Sequence, residues 1–172
     1  MAQQVPILVI TGYSGSGKTT LIECLVVELA ARGQRTGVVK HHRHPMVADA
    51  RMRDSERFLA SGAAAVGTIG TDSVALTWPS AGAPDLVKLS GLIEADLVLA
   101  EGFKSTTGPR LVVYGERPES VAELAPGRDV VAVVGEAPSP GWSWPSFRRD
   151  DIAGIADCVE AWLKGQRGGS RG

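Results

Sequence analysis

A charge excess of one sign, cysteine and long apolar runs are all scarce in this chain, and each scarcity removes a class of function. Eighteen Lys and Arg against 19 Asp and Glu leave a formal net charge of −1. A surface so balanced offers no electrostatic footprint for nucleic acid or for an anionic membrane. No apolar run approaches the length that spans a bilayer. The opening segment "MAQQVPILVITG" has no basic stretch ahead of its short apolar run, so the expectation is a cytoplasmic protein. Cys24 and Cys158 stand far apart and form neither a zinc signature nor a disulfide framework. Both fall in helix-like stretches with apolar neighbours and read as small buried hydrophobes in a reducing compartment.

What is present is a chain of 172 residues, 44% hydrophobic, the size of one domain with a substantial core. The expectation is a single domain over residues 1–164, followed by a polar, glycine-rich tail over 165–172 that stays mobile. Residues 5–10, rich in Val and Ile without polar alternation, read as a strand buried on both faces. A helix over 19–31 follows, with Leu21, Leu25, Val26 and Leu29 on one stripe and Gly33 closing it. "TGVVKH", "DLVLAEG", "RLVVYG" and "DVVAVVGE" are further strands, and "AAAVGTIG" with "SVALTW" makes a short pair around a Gly-Thr-Asp turn. Helices are expected from Asp54 to Ala60, over 84–93, and from Asp150 or Asp151 onward. "PSPGWSWPSF" reads as a loop, with Trp142 and Trp144 as anchors on the core. Strands and helices in alternation imply an α/β three-layer P-loop NTPase fold, with a mostly parallel sheet and a small antiparallel addition.

The strongest local signal is "GYSGSGKT". Gly12, Tyr13, Ser14, Gly15, Ser16, Gly17, Lys18 and Thr19 match G-x-x-x-x-G-K-[ST] at every defined position, between a strand and a helix. Glycines let successive N–H groups turn inward on phosphate oxygens, and the helix dipole points its positive end at the same place. Lys18 is placed to reach the β- and γ-phosphates, and the Thr19 hydroxyl to ligate Mg²⁺. Tyr13 disfavours the partitioning and nitrogenase-iron-protein type of ATPase, which has at this position a second lysine that reaches across a dimer.

Such a site needs an acidic residue at the carboxyl end of a neighbouring buried strand. "ADLVLAEGFK" offers Asp96 and Glu101, roughly 16 Å apart at about 3.3 Å per residue. Asp96 enters the strand and belongs to the opposite rim; Glu101 leaves it at the correct end. Gly102 then lets the chain turn beneath the nucleotide, and Lys104 projects from the following loop. The second strand ends near Lys40 and His41, and its polar continuation is of the kind that closes on a γ-phosphate. Asp49 and Asp54 are candidate second Mg²⁺ contacts or water-positioning groups there, with Arg51, Arg53 and Arg57 as candidate phosphate or partner contacts. His41, His42 and His44 invite a metal reading, but the first two point oppositely if extended and no cysteine is near.

"ITGYSGSGKTTLIECLV", "GVVKHHRHP", "RDSERFLASGA" and "ADLVLAEGFK", in this order and spacing, resemble the MobB family, the molybdopterin-guanine dinucleotide biosynthesis adaptor proteins of prokaryotes. The resemblance covers residues 5–104 and continues more weakly to "SFRRDDIAGIADCVEAWL". It implies a GTP-binding protein, usually a homodimer, with weak GTPase activity. It also implies work beside the molybdenum cofactor guanylyltransferase (MobA type), which attaches GMP to molybdopterin. By position it assigns residues 12–20, Thr20 included, to the nucleotide, and Glu101 to the neighbourhood of the metal. Two departures stand out: "DARMRDSERF" is arginine-rich where a lysine before the aspartate is expected, and no Asn-Lys-x-Asp guanine-reading element occurs. Guanine preference therefore rests on the family, with the stretch around "VVGEAPS" as the suggested base contact.

Two other functions use the same loop. A small-molecule kinase needs an arginine-bearing lid, whereas Arg110 and Arg117 merely flank a strand. A nickel-type metallochaperone GTPase needs a Cys/His cluster that only the histidine loop offers. Hydrolysis is expected to be slow, since no glutamine or arginine finger is placed to order water, a contribution of ~10³–10⁵ in rate. The short strand pair with Trp78 is expected to leave an apolar surface for a homodimer.

Overall fold

A computed structural model describes residues 4–42, 53–79, 85–115, 118–125, 129–136 and 142–168. They group into two compact units, Met1–His41 with Leu86–Gly172, and His42–Asp85. In the larger unit, β1 (Ile7–Thr11) leads into α1 (Lys18–Ala31) and β2 (Thr36–Lys40). The smaller unit contains α2 (Arg53–Ala60), β3 (Val66–Ile69) and β4 (Val74–Thr77). The larger unit then resumes with α3 (Leu86–Ser90), β5 (Leu97–Glu101), β6 (Arg110–Val113), α4 (Ser120–Leu124), β7 (Val130–Gly135), β8 (Ser146–Arg148) and α5 (Ile152–Gly168).

The main sheet has the order β2-β5-β1-β6-β7-β8, and every pair in it is parallel. Its central strands β5, β1, β6 and β7 are mostly apolar because both of their faces are covered. Leu8, Ile10, Leu97, Leu99, Leu111 and Val113 point to one face, where Leu21, Leu25 and Leu29 of α1 meet Ile155, Val159 and Leu163 of α5. The alternate residues, Val9, Val98 and Ala100, lie on the other face with Leu86 of α3, and Val112 and Val133 lie there with Val121 and Leu124 of α4. Arg32, just past α1, ties the two long helices together through Glu28, Asp157 and Glu160. Within the smaller unit, β3 and β4 pair antiparallel with Ile69 opposite Val74.

This is the expected three-layer arrangement with its antiparallel addition, and four details differ. β8 lies inside the stretch read as a loop; three residues behind Pro145 are too few for a pattern to register. α4, five residues long, gave no periodicity either. α5 runs four residues into the stretch expected as a tail, since a helix already nucleated adds a backbone bond for each residue it extends; residues 169–172 lie outside the described residues. Cys24 is exposed rather than buried, because α1 buries Leu21, Leu25 and Leu29 and turns Cys24 outward; Cys158 is half-buried. Trp142 and Trp144 do pack on the core, Trp142 edge-on to Tyr114 at 5.2 Å.

Candidate functional site

The loop between β1 and α1 is shaped by what surrounds it. Gly12 passes so close to β6 that a Cβ would collide with the carbonyl oxygen of Val113. Gly15 and Gly17 hold φ of 76° and 85°, the left-handed region that curls successive amides inward. Gly17 opens α1 with no side-chain cap, so the leading amides and the positive dipole end face the loop. Lys18 arches back across it, its Nζ donating to the Tyr13 carbonyl at 2.7 Å. Burial lowers the Lys18 pKa; Glu101 opposes this, while Lys104 and Lys40 add to it. Ser14, Gly15 and Thr20 lie exposed, and Ser16 is buried with its hydroxyl lacking a partner among the described residues.

Glu101 ends β5 beside this loop and is only 9% exposed. Register sets its neighbours: Lys40 on β2 and Ile10 on β1 are its partners across the ladder. The Thr19 hydroxyl lies 3.0 and 3.1 Å from its two carboxylate oxygens. Lys40 Nζ approaches Oε2 to 3.2 Å and donates to Thr19 Oγ1 at 3.4 Å. A hydroxyl and a carboxylate converging here are hard oxygen donors, and together with phosphate oxygens and water they suit Mg²⁺. No group of three or more His, Cys, Asp and Glu side chains gathers among the described residues. Gly102 turns with φ 100°, its N–H donating to the Ile10 carbonyl at 3.0 Å.

Asp96 sits at the opposite rim, where it accepts from the Arg35 N–H at 2.9 Å. The expected loop contacts divide. Asp49, Arg51 and His44 lie outside the described residues. Asp54 belongs to the smaller unit, exposed and 3.5 Å from Arg57. His41 packs its ring against Phe103, centroids 5.2 Å apart. Lys104 places its ammonium 3.9 Å above the Tyr13 ring, whose hydroxyl donates to Glu123. Arg110 is buried and donates to the carbonyls of Thr106, Gly108 and Leu124.

A cavity of about 340 Å³ opens beside the loop, with residues 13–16 on one side and Gly115, Ser120, Glu136 and Arg149 on the other. Arg149 was not singled out from the sequence. It follows β8, and a strand read as a loop gave no carboxyl end on which to place it. Its Nη2 donates to the Tyr114 carbonyl at 3.1 Å, and it pairs with Glu136 at 3.4 Å. Its Nη1 lies 2.7 Å from where a Gly17 Cβ would stand. Glu136, just past β7, falls within the stretch suggested as a base contact.

The sequence profile of molybdopterin guanine dinucleotide synthesis protein B (MobB) matches residues 7–136. The chain is 36% identical over 169 residues to the molybdopterin-guanine dinucleotide biosynthesis adapter protein of Haemophilus influenzae, covering 95% of this chain and 92% of that one. It is 34% identical over 173 residues to the adapter protein of Escherichia coli, covering 95% and 97%. The crystal structure of Bacillus subtilis MobB superposes with a TM-score of 0.73 at 28% identity, covering 93% of this chain and 99% of that one.

Proposed function

The chain belongs to the family of molybdopterin guanine dinucleotide synthesis protein B, and from that premise we propose that it is a GTP-binding adapter with slow, Mg²⁺-dependent GTPase activity. It works in the cytoplasm beside the guanylyltransferase (MobA type) that transfers GMP to molybdopterin. The observation that carries this reading is the convergence of the Thr19 hydroxyl and the Glu101 carboxylate beside a loop of inward amides.

Gly12, Tyr13, Ser14, Gly15, Ser16 and Gly17 wrap the phosphates, Lys18 and Thr20 complete the cradle, and Gly102 gives room beneath it. Thr19 and Glu101 would hold the cation, which when bound would neutralise charge on the phosphate oxygens; Asp49, the third cation contact expected from the sequence, lies outside the described residues. Lys18 and Glu101 are the residues on which hydrolysis depends. The slow rate is expected because Arg149, the arginine that lies against the loop, is committed to the Tyr114 carbonyl and to Glu136 rather than to ordering a water. The kinase alternative loses its clearest arginine, since Arg110 is committed to three backbone carbonyls. A homodimer through the β3–β4 pair is supported by Ile69 and Val74, 83% and 73% exposed on neighbouring strands.

Titration calorimetry with GTP, GDP and ATP, with and without Mg²⁺, tests the nucleotide. Tighter binding of GTP is expected, and equal or tighter ATP binding removes the guanine assignment. Capture of the purified guanylyltransferase, with and without GTP, tests the adapter role. Light scattering at micromolar concentration tests the dimer.

A further inference from the structure

The site has a strong motif for phosphate and none for the base, yet the cavity continues past the phosphate loop to a second wall. That wall is made at the carboxyl ends of β6, β7 and β8, where Gly115, Glu136 and Arg149 meet. A triphosphate gripped at residues 12–19 leaves its nucleoside to be received there. Glu136 is exposed enough to be reached, at 69% of its side chain, and is not left to wander: Arg149 holds it at 3.4 Å. Arg149 is itself fixed by the Tyr114 carbonyl and lies against Gly17, so it links the phosphate loop to this carboxylate. Its Nε is buried without a partner among the described residues.

We propose that Glu136 reads the guanine ring, with Arg149 as the residue that positions it; the inference rests on the GTP-binding reading above. An ionised carboxylate only accepts hydrogen bonds, and it has two oxygens side by side. Guanine presents two adjacent donors, N1–H and the 2-amino group, which match them. Adenine presents an N1 lone pair at the same place, so the carboxylate meets repulsion in place of a bond. With adenine the carboxylate forfeits two charge-assisted bonds and faces a lone pair, so the discrimination comes from hydrogen bonding rather than from shape. The carboxylate comes one residue past the end of β7, in a chain that has no Asn-Lys-x-Asp element.

The test is nucleotide selectivity of Glu136→Gln, by calorimetry at saturating Mg²⁺ with GTP, ITP, XTP and ATP. The wild type is expected to prefer GTP over ITP, which lacks the 2-amino group, and over ATP. In the variant, GTP affinity is expected to fall about 10- to 100-fold, the value of charge-assisted bonds. ATP affinity should rise, because the repulsion at adenine N1 is removed, and XTP should gain, because an amide donates to the 2-oxo group of xanthine. Equal weakening of all four nucleotides, or an unchanged GTP-to-XTP ratio, overturns the proposal while leaving GTP binding intact. A wild type that binds no guanine nucleotide removes the underlying reading together with it. Arg149→Met is expected to lower the GTP-to-ATP ratio several-fold, and an unaltered ratio overturns its positioning role.

Discussion

Lys40 and Glu101 face each other across the β2–β5 ladder, register partners whose ammonium and carboxylate lie 3.2 Å apart, and both reach the Thr19 hydroxyl. A divalent cation shared by Thr19 and Glu101, as proposed above, would have to compete with that ammonium for the same oxygens. Lys40 is 43% exposed, which keeps the pair in the range of about 0.2–1 kcal/mol. Lys40→Met is therefore expected to lower the Mg²⁺ concentration that half-saturates GTP binding, by about two- to five-fold. A Mg²⁺ titration of GTP affinity reads this directly. A rise in the half-saturating concentration would instead make Lys40 a helper of the phosphate.

Lys18 separates binding from stability. Burial disfavours its ammonium, so between the lowered native pKa and the ordinary 10.5 the unfolded chain binds more protons than the folded one. Stability contributed by this group therefore rises with pH through that window, and at neutral pH the charged lysine is a cost to the fold. Lys18→Met is expected to melt at the same temperature as the wild type or higher at pH 7. GTP affinity should fall about 100-fold. Melting curves and calorimetry on one preparation check both; a lower melting temperature would mean that the bond to the Tyr13 carbonyl outweighs the burial cost.

The phosphate loop and Glu101 were legible because each is fixed by neighbours in sequence: a strand before, a helix after, a glycine at a defined offset. Asp96 was separated from Glu101 by counting residues along one strand, and the register agrees. Of the far wall only Glu136 falls in a stretch singled out from the sequence; Gly115 and Arg149 were not legible, because the three come from three strand ends and only the sheet order brings them together. Three-residue β8 and five-residue α4 fall below the length at which periodicity shows. Cys24 was misplaced for another reason: apolar neighbours in sequence lie on a different face of α1.

Gly12 is held by packing as well as by function. A methyl group there meets the Val113 carbonyl, a backbone atom of a central strand with both faces covered, and also the Ser16 hydroxyl. Neither β1 nor β6 can yield without shifting the ladder between them. Gly12→Ala is expected to destabilise by about 1–3 kcal/mol, the range for overpacking. Urea denaturation measures it. A change below about 0.5 kcal/mol would show that the loop moves away from β6 with little resistance.

The two thiols provide a check on how α1 and α5 are docked. Cys24 faces outward from α1, while Cys158 on α5 is half-buried, its Sγ 3.6 Å from the Val131 carbonyl. Burial pushes the Cys158 thiol above its ordinary pKa, so at pH 8 it has less thiolate as well as less access. Iodoacetamide followed by mass spectrometry is expected to label Cys24 at least about tenfold faster than Cys158 in the folded protein. The two rates should converge in denaturant, where Cys158 returns to the ordinary value and both thiols are open to the reagent. Equal rates in the native protein would place Cys158 at an open surface, and the packing of α5 on β7 described above would then be wrong.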